Sequence, residues 1–114
     1  MNKVLSLAYF AGGAKFTIEP LMAIIDSKHK LKIVITKESQ RTGRGNKKKQ
    51  NVLYDEVVKN NIPIKTISDF KKLDNIKLLK DLKLDFIIVF SFGLILPKEI
   101  LEIPKYGCIN IHAS

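Results

Sequence analysis

Near the end of the chain, the run Gly107-Cys108-Ile109-Asn110-Ile111-His112-Ala113-Ser114 sets an amide and an imidazole two positions apart. If this run is a strand, alternate side chains share a face, so Cys108, Asn110 and His112 stand on one side and Ile109, Ile111 and Ala113 on the other. A strand buried for structural reasons alone would carry two apolar faces, whereas here one face turns polar near the strand's exit. An amide can donate a hydrogen bond to an oxyanion, and an imidazole can take up a proton near neutrality. Together they suit acyl transfer to an amine. A histidine met alone at a strand end is more often a packed, satisfied residue. The neighbouring Asn110 shifts the balance toward chemistry.

A second group is cationic. Arg41-Thr42-Gly43-Arg44-Gly45-Asn46-Lys47-Lys48-Lys49 holds five basic residues and no acid. Its glycines permit backbone conformations closed to other residues, so the arginines could approach phosphates closely. On charge alone, a solvated basic loop explains the segment equally well. The Ala11-Gly12-Gly13-Ala14 turn could admit a phosphate to a helix N-terminus. It lacks the G-x-G-x-x-G spacing, and a tight turn is the simpler reading. Cys108 reads as a small core residue and His29, in Ser27-Lys28-His29-Lys30, as solvated surface.

These residues need elements to place them. Apolar runs of strand length, rich in β-branched and aromatic residues, fall at 4–10, 31–35, 62–66, 86–90 and 108–112. Helical spacing lies between them. Ile18, Leu21, Met22 and Ile25 share one face, with Pro20 suited to a first turn. Asn51 can cap a second helix carrying Leu53, Val57 and Val58, and a third runs through Leu73, Ile76, Leu79 and Leu82. Strands separated by helices pair in parallel through crossovers, and the unbroken run Phe86-Ile87-Ile88-Val89-Phe90 predicts a strand buried on both faces. The fold expected is α/β: a Rossmann-like, open, mainly parallel sheet with flanking helices. Because no helix follows the last strand, the sheet is expected to be incomplete at the C-terminus.

Length and composition agree with this architecture. A chain of 114 residues, 46% hydrophobic, suits one compact domain with no internal repeat. Polar residues interrupt every apolar run well short of a bilayer span, which predicts a protein without a membrane partner. The first residues have some look of a secretory signal, but Gly12 and Gly13 lead straight into an amphipathic segment. A single cysteine excludes an intramolecular disulfide and fits a reducing, cytoplasmic location. The net charge of +9 suggests a polyanionic partner, although a chain rich in Lys, Ile and Asn could carry that charge through composition alone.

The residues also carry a resemblance. Asn110-Ile111-His112-Ala113-Ser114 resembles the N-I-H-x-S motif of folate-dependent formyltransferases. The stretch from Phe92-Gly93-Leu94-Ile95-Leu96-Pro97 through Lys98 resembles the Y-G-L-I-L-P-K segment of methionyl-tRNA formyltransferases, and Thr42-Gly43-Arg44-Gly45 that family's A-G-R-G loop. The segments fall in the family's order, and the resemblance covers essentially the whole chain. It implies formyl transfer from 10-formyltetrahydrofolate, without a metal, to the amino group of initiator methionyl-tRNA, by a cytoplasmic protein expected to be a monomer. Asn110 would polarise the formyl group and His112 would assist proton removal. Phe92, Gly93, Leu94, Ile95 and Leu96 would meet the pterin of the folate, and Arg41, Arg44, Lys47, Lys48 and Lys49 the acceptor arm of the tRNA.

The sequence departs from the family at Gly12-Gly13-Ala14-Lys15-Phe16, where G-T-P-x-F is usual, and at Ser91-Phe92, where Ala-Tyr is common. It stops before the S-L-L-P-x-x-R-G segment, the catalytic aspartate and the C-terminal tRNA-binding domain. The resemblance therefore implies the N-terminal portion of a formyltransferase catalytic domain over residues 1–114, nearly inactive alone. In serine proteases, loss of an analogous acid costs roughly 10⁴-fold in turnover. Two other readings stay open. One is a formyltransferase for a small amine, such as glycinamide ribonucleotide or an amino sugar. The other is a non-catalytic RNA-binding remnant that keeps only the basic loop.

Overall fold

The structure, a computed structural model, describes residues 3–38, 51–70 and 73–112. Among these, strands β1 (Ser6–Ala11), β2 (Lys30–Lys37), β3 (Ile64–Ile67), β4 (Phe86–Phe90) and β5 (Cys108–Ile111) alternate with helices α1 (Ile18–Asp26), α2 (Val52–Lys59), α3 (Leu73–Asp81) and α4 (Lys98–Leu101). A 3-10 turn, Lys15–Thr17, leads into α1. The strands form one sheet in the order β3-β2-β1-β4-β5, and every neighbouring pair is parallel. This is the open Rossmann-like sheet that the alternating pattern predicts.

Both faces of the central strands are covered. On one side Ala8, Phe10, Ile33, Ile35, Ile87 and Val89 pack with Leu79 of α3 and Ile100 of α4. On the other, Tyr9, Ala11, Val34 and Phe90 pack with Leu21 of α1 and with Leu53 and Val57 of α2. Strands sandwiched in this way have no solvent face, which is why β1 and β4 read as continuous apolar runs. Tyr9 is wholly buried and donates its hydroxyl to the Thr17 carbonyl at 2.7 Å. Burial pushes its phenol above the usual tyrosine range.

Helix α2 starts where expected. The Asn51 side-chain oxygen accepts from the Tyr54 amide at 2.7 Å, and its Nδ2 donates to Thr36 Oγ1 at 3.1 Å, tying the start of α2 to the end of β2. Val58, expected on the packed face of α2, is instead 51% exposed. His29 is half-buried rather than solvated, because its Nδ1 accepts the Leu5 amide at 3.0 Å and joins the entrance of β1 to the turn before β2.

The chain order reverses between β1 and β4: β2 and β3 extend the sheet on one side of β1, and β4 and β5 on the other. Open α/β sheets bind ligands at such a reversal, outside the carboxyl ends of the strands. On the β5 side, Ile109 (46% exposed) and Phe16 (53% exposed) leave apolar surface uncovered among the described residues. No helix among those residues is long and apolar enough to cross a membrane.

Candidate active site

The floor of the site is laid by the exits of β1, β4 and β5. After β4, Ser91 (φ 50°) and Gly93 (φ 83°) take left-handed backbone conformations, folding the chain sharply back over the sheet. For Ser91 that conformation is strained, on the order of 1–3 kcal/mol, the kind of strain that collects at functional sites. The fold-back requires the glycine turn after β1: a Cβ on Gly12 would overlap the Ser91 carbonyl oxygen. Gly13 adopts φ 97°, and a Cβ there would overlap the Asn51 side chain. The turn is therefore a tight one packed against its neighbours, as its spacing suggested.

Phe92 points into the core. Its ring lies 5.4 Å from that of Phe10 and 5.9 Å from that of Phe70, and the residue is 2% exposed. It thus anchors the loop with its side chain and can meet a ligand only through its backbone. A ring without a hydroxyl suits this position, since a buried phenol would need a partner. Beyond it, Leu94 and Leu96 are half-buried against the same core, while Ile95 is 94% exposed.

On the other wall, β5 pairs with β4 so that Asn110 stands beside Val89 and Ile111 beside Phe90. Asn110 and His112 are both exposed rather than packed inside. They line one cleft of about 510 Å³ together with Phe16, Ser91, Gly93 and Leu94. Phe16, which the sequence reading left unassigned, stacks edge-on against Phe90 at 5.3 Å and stands at the mouth of this cleft. Its signal in the sequence is the one position at which Gly12-Gly13-Ala14-Lys15-Phe16 keeps the closing aromatic of the family's G-T-P-x-F. On the far side of the loop lies a second, more apolar cleft of about 490 Å³, lined by Phe70, Ile76, Leu94, Ile95 and Pro97, with Asp69 and Glu99 at its edges. The loop of residues 91–96 is thus a partition between a polar and an apolar cleft.

Cys108 shares the Asn110 face but packs partly against the core, and burial pushes its thiol up. That makes it a poor nucleophile at neutral pH. Arg41, Arg44, Lys47, Lys48 and Lys49 lie outside the described residues, as do Ala113 and Ser114. Among the described residues no group of three or more His, Cys, Asp and Glu could hold a metal ion.

Comparison with known proteins adds to this geometry. The family model for formyl transferases matches residues 5–114. Methionyl-tRNA formyltransferase from Legionella pneumophila (strain Corby) is 42% identical over 105 residues, which is 92% of this chain and 33% of that protein. The protein of the same name from Clostridium beijerinckii is 42% identical over 106 residues, covering 92% of this chain and 34% of that one. The chain thus spans about a third of the length of the curated relatives it matches. In fold it is similar to glycinamide ribonucleotide transformylase 1 from Geobacillus kaustophilus, with a TM-score of 0.73 at 16% identity, over 98% of this chain and 60% of that one. With the model matched almost from end to end and the cleft built by the matched residues, the chain belongs to the formyl transferase family.

Proposed function

We propose that this chain supplies the first part of the catalytic domain of a cytoplasmic methionyl-tRNA formyltransferase, moving a formyl group from 10-formyltetrahydrofolate to the amine of initiator methionyl-tRNA. The observation that carries this reading is that Asn110 on β5 and His112, one residue past the strand's end, line one open cleft beside the 91–96 loop, in a chain about 40% identical to proteins of that name. The apolar cleft lined by Leu94, Ile95 and Pro97 suits the flat ring system of the donor, with backbone groups of the loop reading its edge. Transfer then runs across the loop to the polar cleft.

In the reaction, the amine's lone pair attacks the formyl carbon and forms a tetrahedral oxyanion. The Asn110 amide donates a hydrogen bond to that oxygen. His112 takes the proton released by the attacking nitrogen. The bond from the formyl carbon to the folate nitrogen breaks as the carbonyl re-forms, and that nitrogen recovers a proton. On this reading, the acid that orients His112 and the domain that holds the tRNA would come from the remainder of the enzyme, since the chain covers 33% of its Legionella pneumophila relative. Arg41, Arg44 and Lys47 to Lys49 would meet the acceptor arm.

The test joins residues 1–114 to the remainder of the Legionella pneumophila protein and measures transfer of labelled formyl to initiator methionyl-tRNA. Activity is expected in the fusion and not in the 114-residue chain alone. A folded fusion with no transfer, or one that formylates glycinamide ribonucleotide in preference to methionyl-tRNA, would overturn the proposal.

A further inference from the structure

Among the described residues, three polar side chains line the cleft, and the reaction above uses two of them. The third is Ser91. It is exposed, and its hydroxyl makes no hydrogen bond among those residues. The pairing that sets Val89 beside Asn110 and Phe90 beside Ile111 brings Ser91, one step further along, to the level of His112. Neighbouring strands run about 4.8 Å apart, so this hydroxyl belongs to the histidine's end of the cleft rather than to the amide's.

The backbone sets this serine apart from a passive lining residue. A glycine would take φ 50° without strain, whereas a side chain at that angle is held there at a cost. What holds it is the Gly12 turn, against which the Ser91 carbonyl packs too closely for any Cβ. Alanine is common at this position in the family that the sequence resembles. The hydroxyl, which alanine lacks, is therefore a departure that opens into the cleft.

Resting on the function proposed above, we infer that Ser91 holds the attacking amine for transfer. A neutral amine carries two N–H groups and one lone pair. His112 takes one of the two protons as attack proceeds, and the amide product keeps the other. The retained N–H donates to Ser91 Oγ, which as a hydroxyl oxygen can accept it. With both N–H groups engaged, the lone pair is left facing the formyl carbon, and a fixed line of attack lowers the barrier. No proton moves to or from the serine. The competing role is that of a second donor to the oxyanion. The strand register favours the amine, because the oxyanion lies with Asn110 and Ser91 stands level with His112.

The experiment takes the formylating fusion and compares the wild type with Ser91→Ala and Ser91→Gly. For each it measures kcat, the KM for initiator methionyl-tRNA, the KM for the formylfolate donor, and the urea midpoint. Both variants are expected to raise the KM for methionyl-tRNA by on the order of tenfold, the upper end of what one net hydrogen bond contributes. The contact exists before and throughout attack, so kcat and the donor KM should stay as they are. In Ser91→Gly the same rise should come with a urea midpoint at or above that of the wild type, because glycine relieves the strain.

An unaltered KM for methionyl-tRNA in Ser91→Ala, in a fusion that transfers formyl, overturns the inference and leaves the proposed function standing. A fall in kcat with that KM unchanged assigns the hydroxyl to the oxyanion, which forms only during reaction, and equally overturns it. So does a raised donor KM, which gives the hydroxyl to the folate, or a urea midpoint lowered in both variants, which makes the serine structural. A folded wild-type fusion without transfer to methionyl-tRNA removes the proposed function, and the inference with it.

Discussion

Asn110 near the end of β5 and His112 just past it are both exposed among the described residues, so their loss should reach activity and spare stability. In the formylating fusion, Asn110→Ala is expected to lower kcat by roughly 10²- to 10³-fold and His112→Ala by roughly 10²- to 10⁴-fold. Urea midpoints should be unmoved, because both side chains are exposed. A drop in activity matched by a lost unfolding transition would mean that these residues hold the strand instead. For Cys108, burial holds the thiol above its usual range, so less thiolate exists at a given pH. Alkylation by iodoacetamide at pH 8 should run slower than for a free cysteine, and should go on accelerating above the pH where a free thiol has levelled off. Strand alternation made the Asn110 and His112 face legible in the sequence. It could not show the inward ring of Phe92 or the bond from the Leu5 amide to His29, which depend on contacts between distant segments.

Among the elements, the most consequential contact joins two loops that look unrelated in the sequence. The Gly12 turn leaves room for the Ser91 carbonyl, and Ser91 begins the loop that parts the two clefts. Gly12→Ala is expected to destabilise the fold by about 1–3 kcal/mol through overpacking and to weaken binding of a formylfolate analogue as the loop is displaced. Thermal unfolding and calorimetry on the same variant check both effects. A stable variant with unchanged affinity would show that the two loops are not coupled.

Element positions were legible where pattern alone decides them. β4 begins and ends as its apolar run does, and Asn51 caps α2. The expected bounds fail where tertiary bonds decide. β1 starts at Ser6 rather than two residues earlier, because Ser6 accepts the Asp85 amide and donates its own amide to the Asp85 carboxylate, fixing the first rung of the sheet. Helix α4, Lys98–Leu101, is too short to show a helical period and leaves no trace in the hydrophobic pattern.

At the scale of the whole molecule, the sheet order sets a sequence of assembly. The strands β1, β2 and β3 are neighbours both in the chain and in the sheet, whereas the β1 to β4 pairing closes a gap of 79 residues, the separation of Ser6 and Asp85. Contacts that distant cost loop-closure entropy and form late. The general architecture was readable from strand and helix alternation, but the reversal between β1 and β4 was not, since periodicity says nothing about which strands become neighbours. Among the described residues strand β5 touches the sheet through β4 alone, and it carries Asn110. A rim held by a single seam is the first to open, so backbone amides of β5 should exchange with deuterated water well before those of β1, which is hydrogen-bonded on both sides. Among the described residues, the strand that bears the proposed amide is thus also among the most loosely tethered in the sheet.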